Sequence, residues 1–254
     1  MALVETELDG GVLTVTLADA DRRNALGPEL VGELVAALDA ADAEEAVRVV
    51  VLTNVGTTFC AGADLRAMSG ARAGGAGPVP PAELFARFAR SPKPYVGRIA
   101  GHCVAGGMGL AAALDVSIAL DEARFGFTEV RVGVVPAIVS VVCLPKMRPA
   151  DARAAFLTGR RFSGTEAAAM GLVNAAVPRD GLDAAVGAVV ADLLAGGPGA
   201  LAEAKRLLAE VPAMGRDAAF AWTSELSARM FASPEAAEGM AAYLDKRPPA
   251  WAPR

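Results

Sequence analysis

Apolar and polar residues alternate along the start of the chain, and this period of two predicts strands. Strands over Leu3–Leu8 and Val12–Leu17 flank the turn-forming residues Asp9-Gly10-Gly11, which predicts a β-hairpin. Pro28 then opens a predicted helix, because the leucines after it recur at one-turn spacing. The next segment, Val49–Leu52, is continuously apolar, which is typical of a strand buried on both faces.

A strand–loop–helix order recurs through the middle of the chain. We expect a strand over Tyr95–Ala100, a loop over Gly101–Gly107, a helix over Met108–Ala113 and another strand over Val116–Leu120. Before them, Ser69–Pro81 is rich in Gly, Ala and Pro, which predicts a loop. The recurrence indicates a layered or spiral sheet.

Helical patterns dominate after residue 136. A short strand is predicted over Val173–Val177, and helices over the segments Pro149–Leu157, Gly164–Met170, Leu182–Leu194, Leu201–Leu208 and Pro234–Leu244. The chain is therefore expected to be α/β in its first half and helical at its end.

Composition favours a globular protein. Of the 254 residues, 54% are hydrophobic and 21% are charged, which is enough to bury a sizeable core. The net charge is −5 and the basic residues are scattered, so we expect no nucleic-acid partner, since phosphate binding needs a clustered basic surface. No apolar run approaches the roughly 18 residues that cross a bilayer, so no membrane partner is expected.

The cysteines and the first residues indicate a reducing compartment. Cys60, Cys103 and Cys143 are widely spaced and lack the spacing of metal ligands, so we expect reduced core thiols and no metal. Glu5 and Glu7 are wrong for a secretory signal. A cytoplasmic location is therefore expected.

Two glycine-containing loops are candidates for binding an anion. In Phe59–Leu65, a Gly-Ala pair precedes Asp64, which would cap the next helix and leave backbone N–H groups at its start. Gly106 and Gly107 offer a second set of N–H groups at another predicted helix start. Two such donors that converge on one oxygen form an oxyanion hole. Taken alone, the first loop is better explained as the start of an ordinary capped helix.

A third loop contains a candidate acid–base residue. Glu129 lies in an apolar stretch, where loss of hydration would raise its pKa toward the range useful in catalysis. The alternative is a surface glutamate paired with Arg131 or Arg124.

The second loop also supports a different class of protein. The segment Gly107-Met-Gly-Leu-Ala-Ala112 matches a loose G-x-G-x-x-A dinucleotide fingerprint, with Glu129 as the acidic partner expected about 20 residues later. A nicotinamide-dependent oxidoreductase is therefore an alternative.

The order and spacing of the motifs resemble the crotonase (enoyl-CoA hydratase/isomerase) superfamily along almost the whole chain. The residues that carry this resemblance are Arg23-Asn-Ala-Leu26, Phe59-Cys-Ala-Gly-Ala-Asp-Leu65, the Gly106-Gly107 loop, Phe125-Gly-Phe-Thr-Glu129, Leu157-Thr-Gly, Gly171-Leu-Val173 and Tyr243-Leu-Asp-Lys-Arg247. The resemblance implies a spiral of ββα turns over residues 1–196. It also implies a helical oligomerisation region over residues 197–254 that forms a homotrimer or a dimer of trimers.

The resemblance also implies a site for a coenzyme A thioester. The N–H groups of Ala63 and Gly106 would bind the thioester oxygen beside Glu129. Coenzyme A would enter as part of the substrate, with no tightly bound cofactor. The further residues implied to line the CoA and acyl channel are Ala61, Asp64, Leu65, Arg66 and Gly107; Tyr243 and Lys246 would contact the CoA of a neighbouring subunit.

One position departs from the usual hydratase pattern. The first of two glutamates that normally flank a water would fall at Gly109, whereas Glu129 matches the second. This combination is similar to a branch with methylglutaconyl-CoA and isohexenylglutaconyl-CoA hydratases, so hydration is our leading hypothesis. The alternatives are a Δ3,Δ2-enoyl-CoA isomerase with Glu129 as its only base, and a weakly catalytic acyl-CoA-binding protein. His102 is expected to pack beneath the site.

Overall fold

Ten short strands form two sheets in the part of the chain that the structure describes. The structure is a computed structural model, and it describes residues 2–64 and 79–252. Leu65, Arg66 and most of the predicted loop Ser69–Pro81 lie outside these ranges. The strands are β1 Val4–Asp9, β2 Val12–Leu17, β3 Val49–Asn54, β4 Thr58–Cys60, β5 Tyr95–Ile99, β6 His102–Val104, β7 Val116–Leu120, β8 Arg124–Gly126, β9 Phe162–Ser163 and β10 Ala175–Val177.

The larger sheet has the order β1-β2-β3-β5-β7-β10. The predicted hairpin is present, because β1 and β2 pair antiparallel across a turn in which Gly10 and Gly11 have φ of 53° and 84°. The other neighbours in this sheet are parallel, with Val15 opposite Leu52 in the β2–β3 pair. All six residues of β3 are buried, as its continuous apolar run predicts.

The smaller sheet has the order β4-β6-β8-β9, and its first three strands are parallel. Each of these three strands directly follows a strand of the larger sheet, so β3-β4, β5-β6 and β7-β8 are successive turns of one spiral. The predicted spiral of ββα turns is confirmed. Each of the three predicted site loops also contains a strand that the sequence did not predict, namely β4, β6 and β8. Strands of three residues are too short for a sequence period to show.

Helices follow or cover these turns. They are α1 Pro28–Ala43, α2 Pro81–Arg90, α3 Gly106–Ala113, α4 Ala137–Cys143, α5 Pro149–Thr158, α6 Gly164–Ala169, α7 Leu182–Ala195, α8 Pro198–Glu210, α9 Arg216–Phe231 and α10 Pro234–Leu244. Helix α1 buries Leu30, Leu34 and Leu38 on one face, as their one-turn spacing predicts. The helix predicted from Met108 begins two residues earlier, at Gly106.

The helical end of the chain is attached to the spiral by a buried charge. The Lys205 ammonium of α8 donates to the backbone oxygens of Phe88 and Lys93 at 3.0 and 2.7 Å, and to Asp115 Oδ2 at 2.7 Å. A buried ammonium group is tolerated because all its donors are satisfied in this way. The boundary of an oligomerisation region at residue 197 stays a prediction.

No single helix within the described ranges is long and apolar enough to cross a membrane. The segments Arg179–Ala195 and Pro198–Ala213 reach the required length and composition only together, across a bend of 108°.

Candidate active site

Three loops meet at one edge of the smaller sheet. Strand β4 pairs with β6, and β6 pairs with β8, all in parallel. The segments that leave the C-terminal ends of these strands carry Ala63, Gly106 and Glu129, in that order. Because the C-terminal ends of parallel strands share an edge, the three predicted site loops lie next to one another, and ligands of open α/β sheets bind at such edges.

Ala63 and Gly106 lie on backbone segments that are in contact. A Cβ atom on Gly106 would lie 3.2 Å from Gly62 Cα and 3.5 Å from the Ala63 nitrogen. Gly106 is the first residue of α3, so its N–H has no acceptor within the helix. Within residues 2–64 and 79–252, neither N–H donates a hydrogen bond to the protein. Two unused donors on adjoining segments are what an oxyanion hole requires.

The Arg23–Leu26 segment holds the first of these loops in place. Asn24 is fully buried, and its side-chain nitrogen donates to the backbone oxygens of Val55 at 3.3 Å and Thr58 at 2.8 Å. Leu26 N–H then donates to the Gly62 oxygen at 2.7 Å. The motif thereby fixes the peptide before Ala63, a positioning role that sequence reasoning missed.

Ala105 sets the direction of the second N–H group. Its φ of 49° and ψ of −122° are rarely adopted by an L-residue, and such strain persists only where neighbours enforce it. Ala105 N–H donates to the Gly126 oxygen at 3.0 Å, while the Ala105 oxygen accepts from Met108 N–H at 2.9 Å. These bonds hold the strained residue that precedes Gly106. An alanine carries no sequence signal for a positive φ, so this residue could not be predicted.

Glu129 has a buried carboxylate oxygen that no protein group binds. It is the first residue of a 3₁₀ helix, Glu129–Val132, that follows β8. Among the described residues, its Oε2 atom has no hydrogen-bond partner although it is buried. Loss of hydration raises the pKa of Glu129, and a hydrogen bond from its own N–H opposes the rise. A carboxyl group with a raised pKa is better suited to take up and return a proton than an ordinary surface glutamate.

The alternative interpretation of Glu129 as half of a surface ion pair is not observed. The Arg131 Nε atom donates to the Gly159 oxygen at 2.8 Å and its Nη2 atom to the Thr158 oxygen at 3.2 Å. Neither Arg131 nor Arg124 forms an ion pair with Glu129 in the described part of the chain. In the described part of the chain the carboxylate therefore has no cationic partner.

Gly109 is closed off by side chains of two other helices. A Cβ atom there would lie 2.6 Å from Val139 Cγ1 in α4 and 3.0 Å from Phe85 Cζ in α2. Even an alanine would therefore displace a β-branched side chain, and a glutamate has no space to reach the site from this position. The absence of the usual first glutamate is matched by packing that fills its place.

The glycines of the dinucleotide fingerprint also have packing roles. A Cβ atom on Gly107 would lie 2.3 Å from the Cys60 oxygen, so this glycine allows α3 to approach β4 closely. Gly107 is buried, and its predicted contact with substrate stays a prediction. With Gly107 and Gly109 both facing protein atoms, the fingerprint does not form an open cradle for a pyrophosphate.

Ala61 and Asp64 belong to the same loop as Ala63, and their contact with the CoA and acyl channel stays a prediction. Ala61 is half-buried, and its N–H donates to the Arg23 oxygen at 3.1 Å. Asp64 is half-buried and lines a cavity of about 240 Å³ together with Arg22, Ala25, Pro28 and other residues of the first helix turn. Leu65 and Arg66 lie outside the described residues, so their predicted roles stay predictions.

Tyr243 lies in the last turn of α10, and Lys246 follows the end of this helix. Tyr243 is 84% exposed and Lys246 is also exposed. Within the described ranges, no hydrogen bond or ion pair joins either residue to the Ala63 or Gly106 segments. Their contact with a neighbouring subunit's CoA stays a prediction.

The histidine prediction was wrong, whereas the prediction that the three cysteines are core thiols is confirmed. His102 is exposed rather than packed beneath the site, and its Nδ1 atom accepts a hydrogen bond from Arg124 N–H at 3.0 Å. The three cysteines are buried free thiols, and burial raises the pKa of Cys60 and Cys143 to about 12. No cluster of three or more potential metal ligands occurs in the described ranges.

The fold is an α/β spiral, and neighbouring loops at one sheet edge carry two backbone N–H groups without acceptors among the described residues and a glutamate with a raised pKa. Residues 7–254 match the family model for enoyl-CoA hydratase/isomerase. The chain belongs to this family, and it is an enzyme of the hydratase/isomerase type.

Relatives and solved structures agree with this family. The chain is 33% identical to enoyl-CoA hydratase EchA19 of Mycobacterium tuberculosis, over 98% of this chain and 95% of that protein. The structure of Pseudomonas aeruginosa AtuE matches with a TM-score of 0.92 and 32% identity, over 98% of this chain and 99% of that one. A Shewanella pealeana enoyl-CoA hydratase matches with a TM-score of 0.92 and 29% identity, over 98% and 96% of the two chains. These likenesses confirm the fold class.

Proposed function

We propose that this enzyme adds water to the 2,3-double bond of a 2-enoyl-CoA thioester, with Glu129 as the acid–base group. The observation that carries the proposal is that two backbone donors without protein acceptors, Ala63 and Gly106, lie on adjoining segments, and that the next loop at the same sheet edge carries Glu129, whose buried Oε2 atom is unpaired among the described residues. Coenzyme A enters as part of the substrate, no resident cofactor is needed, and the enzyme acts in the cytoplasm.

Charge development explains the need for each group. When the oxygen of water bonds to C3, the Glu129 carboxylate takes a proton from that water, and electrons move through C2 to the thioester oxygen. The N–H groups of Ala63 and Gly106 stabilise the resulting enolate, an effect that is large where water is excluded. The Glu129 carboxyl then returns the proton to C2, which restores the carboxylate. One carboxyl group with a raised pKa is sufficient for both transfers.

The closed position at Gly109 favours a second candidate, the Δ3,Δ2-enoyl-CoA isomerase. Val139 and Phe85 fill the place that the usual first glutamate would take at Gly109. Glu129 therefore has no carboxylate partner on α3 to hold water. Isomerisation needs only one base, which removes a proton from C2 and returns it to C4. The names of relatives such as EchA19 support hydration as the leading candidate.

The purified enzyme is expected to convert 2-enoyl-CoA esters to 3-hydroxyacyl-CoA without added metal or nicotinamide cofactor. The measurement is a panel of short, long and branched 2-enoyl and 3-enoyl esters, with products identified by mass. Migration of the double bond without water addition would make the enzyme an isomerase. Tight binding of every ester without turnover would support a weakly catalytic binding protein, and a thermal shift with NADH or NADPH would favour the oxidoreductase.

We also propose that the chain assembles into a homotrimer or a dimer of trimers through its C-terminal helices. Large apolar side chains are exposed there on the single chain, including Phe220 at 67%, Phe231 at 70% and Leu244 at 77%. Exposed apolar groups of this size on adjoining helices support burial between copies. Light scattering is expected to give three or six times the chain mass of 25.8 kDa; one chain mass at working concentration would contradict the proposal.

A further inference from the structure

The turn that carries Glu129 is tied to a helix by one arginine side chain. The Arg131 guanidinium donates twice to α5, from Nε to the Gly159 oxygen at 2.8 Å and from Nη2 to the Thr158 oxygen at 3.2 Å. These carbonyls lie at the C-terminal end of α5, where backbone oxygens lack intrahelical donors and carry partial negative charge. The Arg131 guanidinium supplies hydrogen-bond donors to these oxygens and a positive charge next to their partial negative charge.

Packing around Gly159 brings the two elements together. Gly159 ends α5 with φ of 58°, and a Cβ atom on it would lie 2.9 Å from Val130 Cγ2 and 3.1 Å from Arg131 Cγ. A glycine is needed there both for the left-handed conformation and for the approach of the 3₁₀ helix. Val130 and Arg131, the two residues that follow Glu129, thereby pack the 3₁₀ helix against the end of α5.

The same turn is closed at its other end by backbone bonds alone. Gly133, with φ of 79°, donates its N–H to the oxygens of Glu129 and Val130, and Val134 N–H also donates to the Glu129 oxygen at 3.2 Å. These bonds define the shape of the turn but do not attach it to another element. The attachment to a neighbouring helix is made by the Arg131 side chain, which donates hydrogen bonds to the end of α5.

We propose that Arg131 is a positioning residue for Glu129: it anchors the catalytic turn to the end of α5 and commits its own charge to those carbonyls. This inference rests on the proposed acid–base role of Glu129. A guanidinium that is free to move would lie two residues from the carboxylate and could pair with it. Held against α5, it leaves the Glu129 oxygen unpaired.

Arg131→Ala is expected to lower kcat by about 10- to 100-fold on the best enoyl-CoA ester, since small displacements of a catalytic group cost this much. KM should change less than about twofold, because the oxyanion donors and the CoA channel are not altered. Added guanidinium at low millimolar concentration should restore part of kcat, and Arg131→Lys should be intermediate, since lysine cannot donate in the same fork.

Arg148→Ala is the matched control. Arg148 stands at the start of the same helix and forms an exposed ion pair with Asp151, so its loss removes an arginine from α5 without touching the catalytic turn. Unchanged kcat in Arg131→Ala, or an equal loss of kcat in Arg148→Ala, would overturn the proposal. A kcat loss that only tracks the unfolded fraction, with no guanidinium rescue, would also overturn it.

Hydrogen exchange tests whether Arg131 anchors the turn independently of whether the enzyme turns over an enoyl-CoA ester. Even if no CoA ester is turned over, which would contradict the function, the amides of Gly133 and Val134 report on the anchoring. We expect their exchange to be at least about tenfold faster in Arg131→Lys and Arg131→Ala than in Arg148→Ala, because local opening governs exchange. Equal exchange in these variants would overturn the anchoring.

Discussion

Replacing Glu129 with glutamine is expected to lower kcat on the best enoyl-CoA ester by about 10²- to 10⁴-fold, the usual contribution of a general acid–base group. Glutamine keeps the size of the side chain but cannot take up a proton. The steady-state rate should fall while binding of a saturated acyl-CoA stays close to that of the wild type. Full turnover of every active ester by Glu129→Gln would remove the role assigned to this residue.

The pH dependence of the wild type gives an independent test of the same group. Since burial raises the pKa of Glu129 above its ordinary value of 4.5, the acid limb of kcat/KM should lie above pH 4.5, and activity should fall as the carboxylate is protonated. The Cys143 thiol, whose pKa is raised to about 12, stays neutral across this range. An acid limb at or below pH 4.5 would show that Glu129 is not desolvated in the free enzyme.

Stability should change in the opposite direction to activity. A carboxyl group whose pKa is raised by folding stabilises the protein while protonated, below about pH 4.5, and this contribution is lost as pH rises through the folded-state pKa. Glu129→Gln should therefore be at least as stable as the wild type at pH 7, with the difference vanishing toward pH 4.5. The control is Glu122→Gln, an exposed glutamate paired with Arg179, which should keep normal kinetics.

Gly62→Ala is expected to lower kcat/KM by at least about 10²- to 10³-fold, as loss of an oxyanion donor does. A Cβ atom at this position would lie 2.7 Å from the Gly106 nitrogen and 2.8 Å from Ala105 Cβ. Because these are backbone and near-backbone atoms, the two donor segments must separate. Gly62 also has φ of 86°, so we expect an added loss of stability of about 1–3 kcal/mol from strain and overpacking, measured by thermal and urea unfolding.

Gly10→Ala separates the effect of backbone strain from the effect of displacing the donor segments. Gly10 has φ of 53° in the β1–β2 turn, but a Cβ atom there meets nothing within 4 Å. It should therefore show only the cost of the backbone conformation, with kcat/KM unchanged. If a folded Gly62→Ala retains full kcat/KM, the Ala63 and Gly106 donors do not act together on one oxygen.

The sequence predicted the two loops that carry the N–H donors, but not the contacts that set the direction of each N–H group. The glycines and their spacing indicate helix starts that can bind an anion, and the resemblance adds the pairing of Ala63 with Gly106. The direction of each N–H depends on contacts distant in the chain, such as the Asn24 bonds across 31 and 34 residues and the Ala105–Gly126 bond. An alanine with positive φ and a buried asparagine have no period or composition that reveals them.

Local patterns by themselves determined the hairpin, the buried strand predicted over Val49–Leu52, the leucine face of α1 and the family resemblance, because these depend on residue spacing over a few turns or on ordered motifs. Only the tertiary structure decided that β4, β6 and β8 stand side by side, since three-residue strands gain their hydrogen bonds from partners far along the chain. Tertiary packing also decided that Val139 and Phe85 close Gly109, and that Arg131 binds α5 rather than Glu129. Side-chain partners are chosen by the fold, and a single sequence does not encode them as a local pattern.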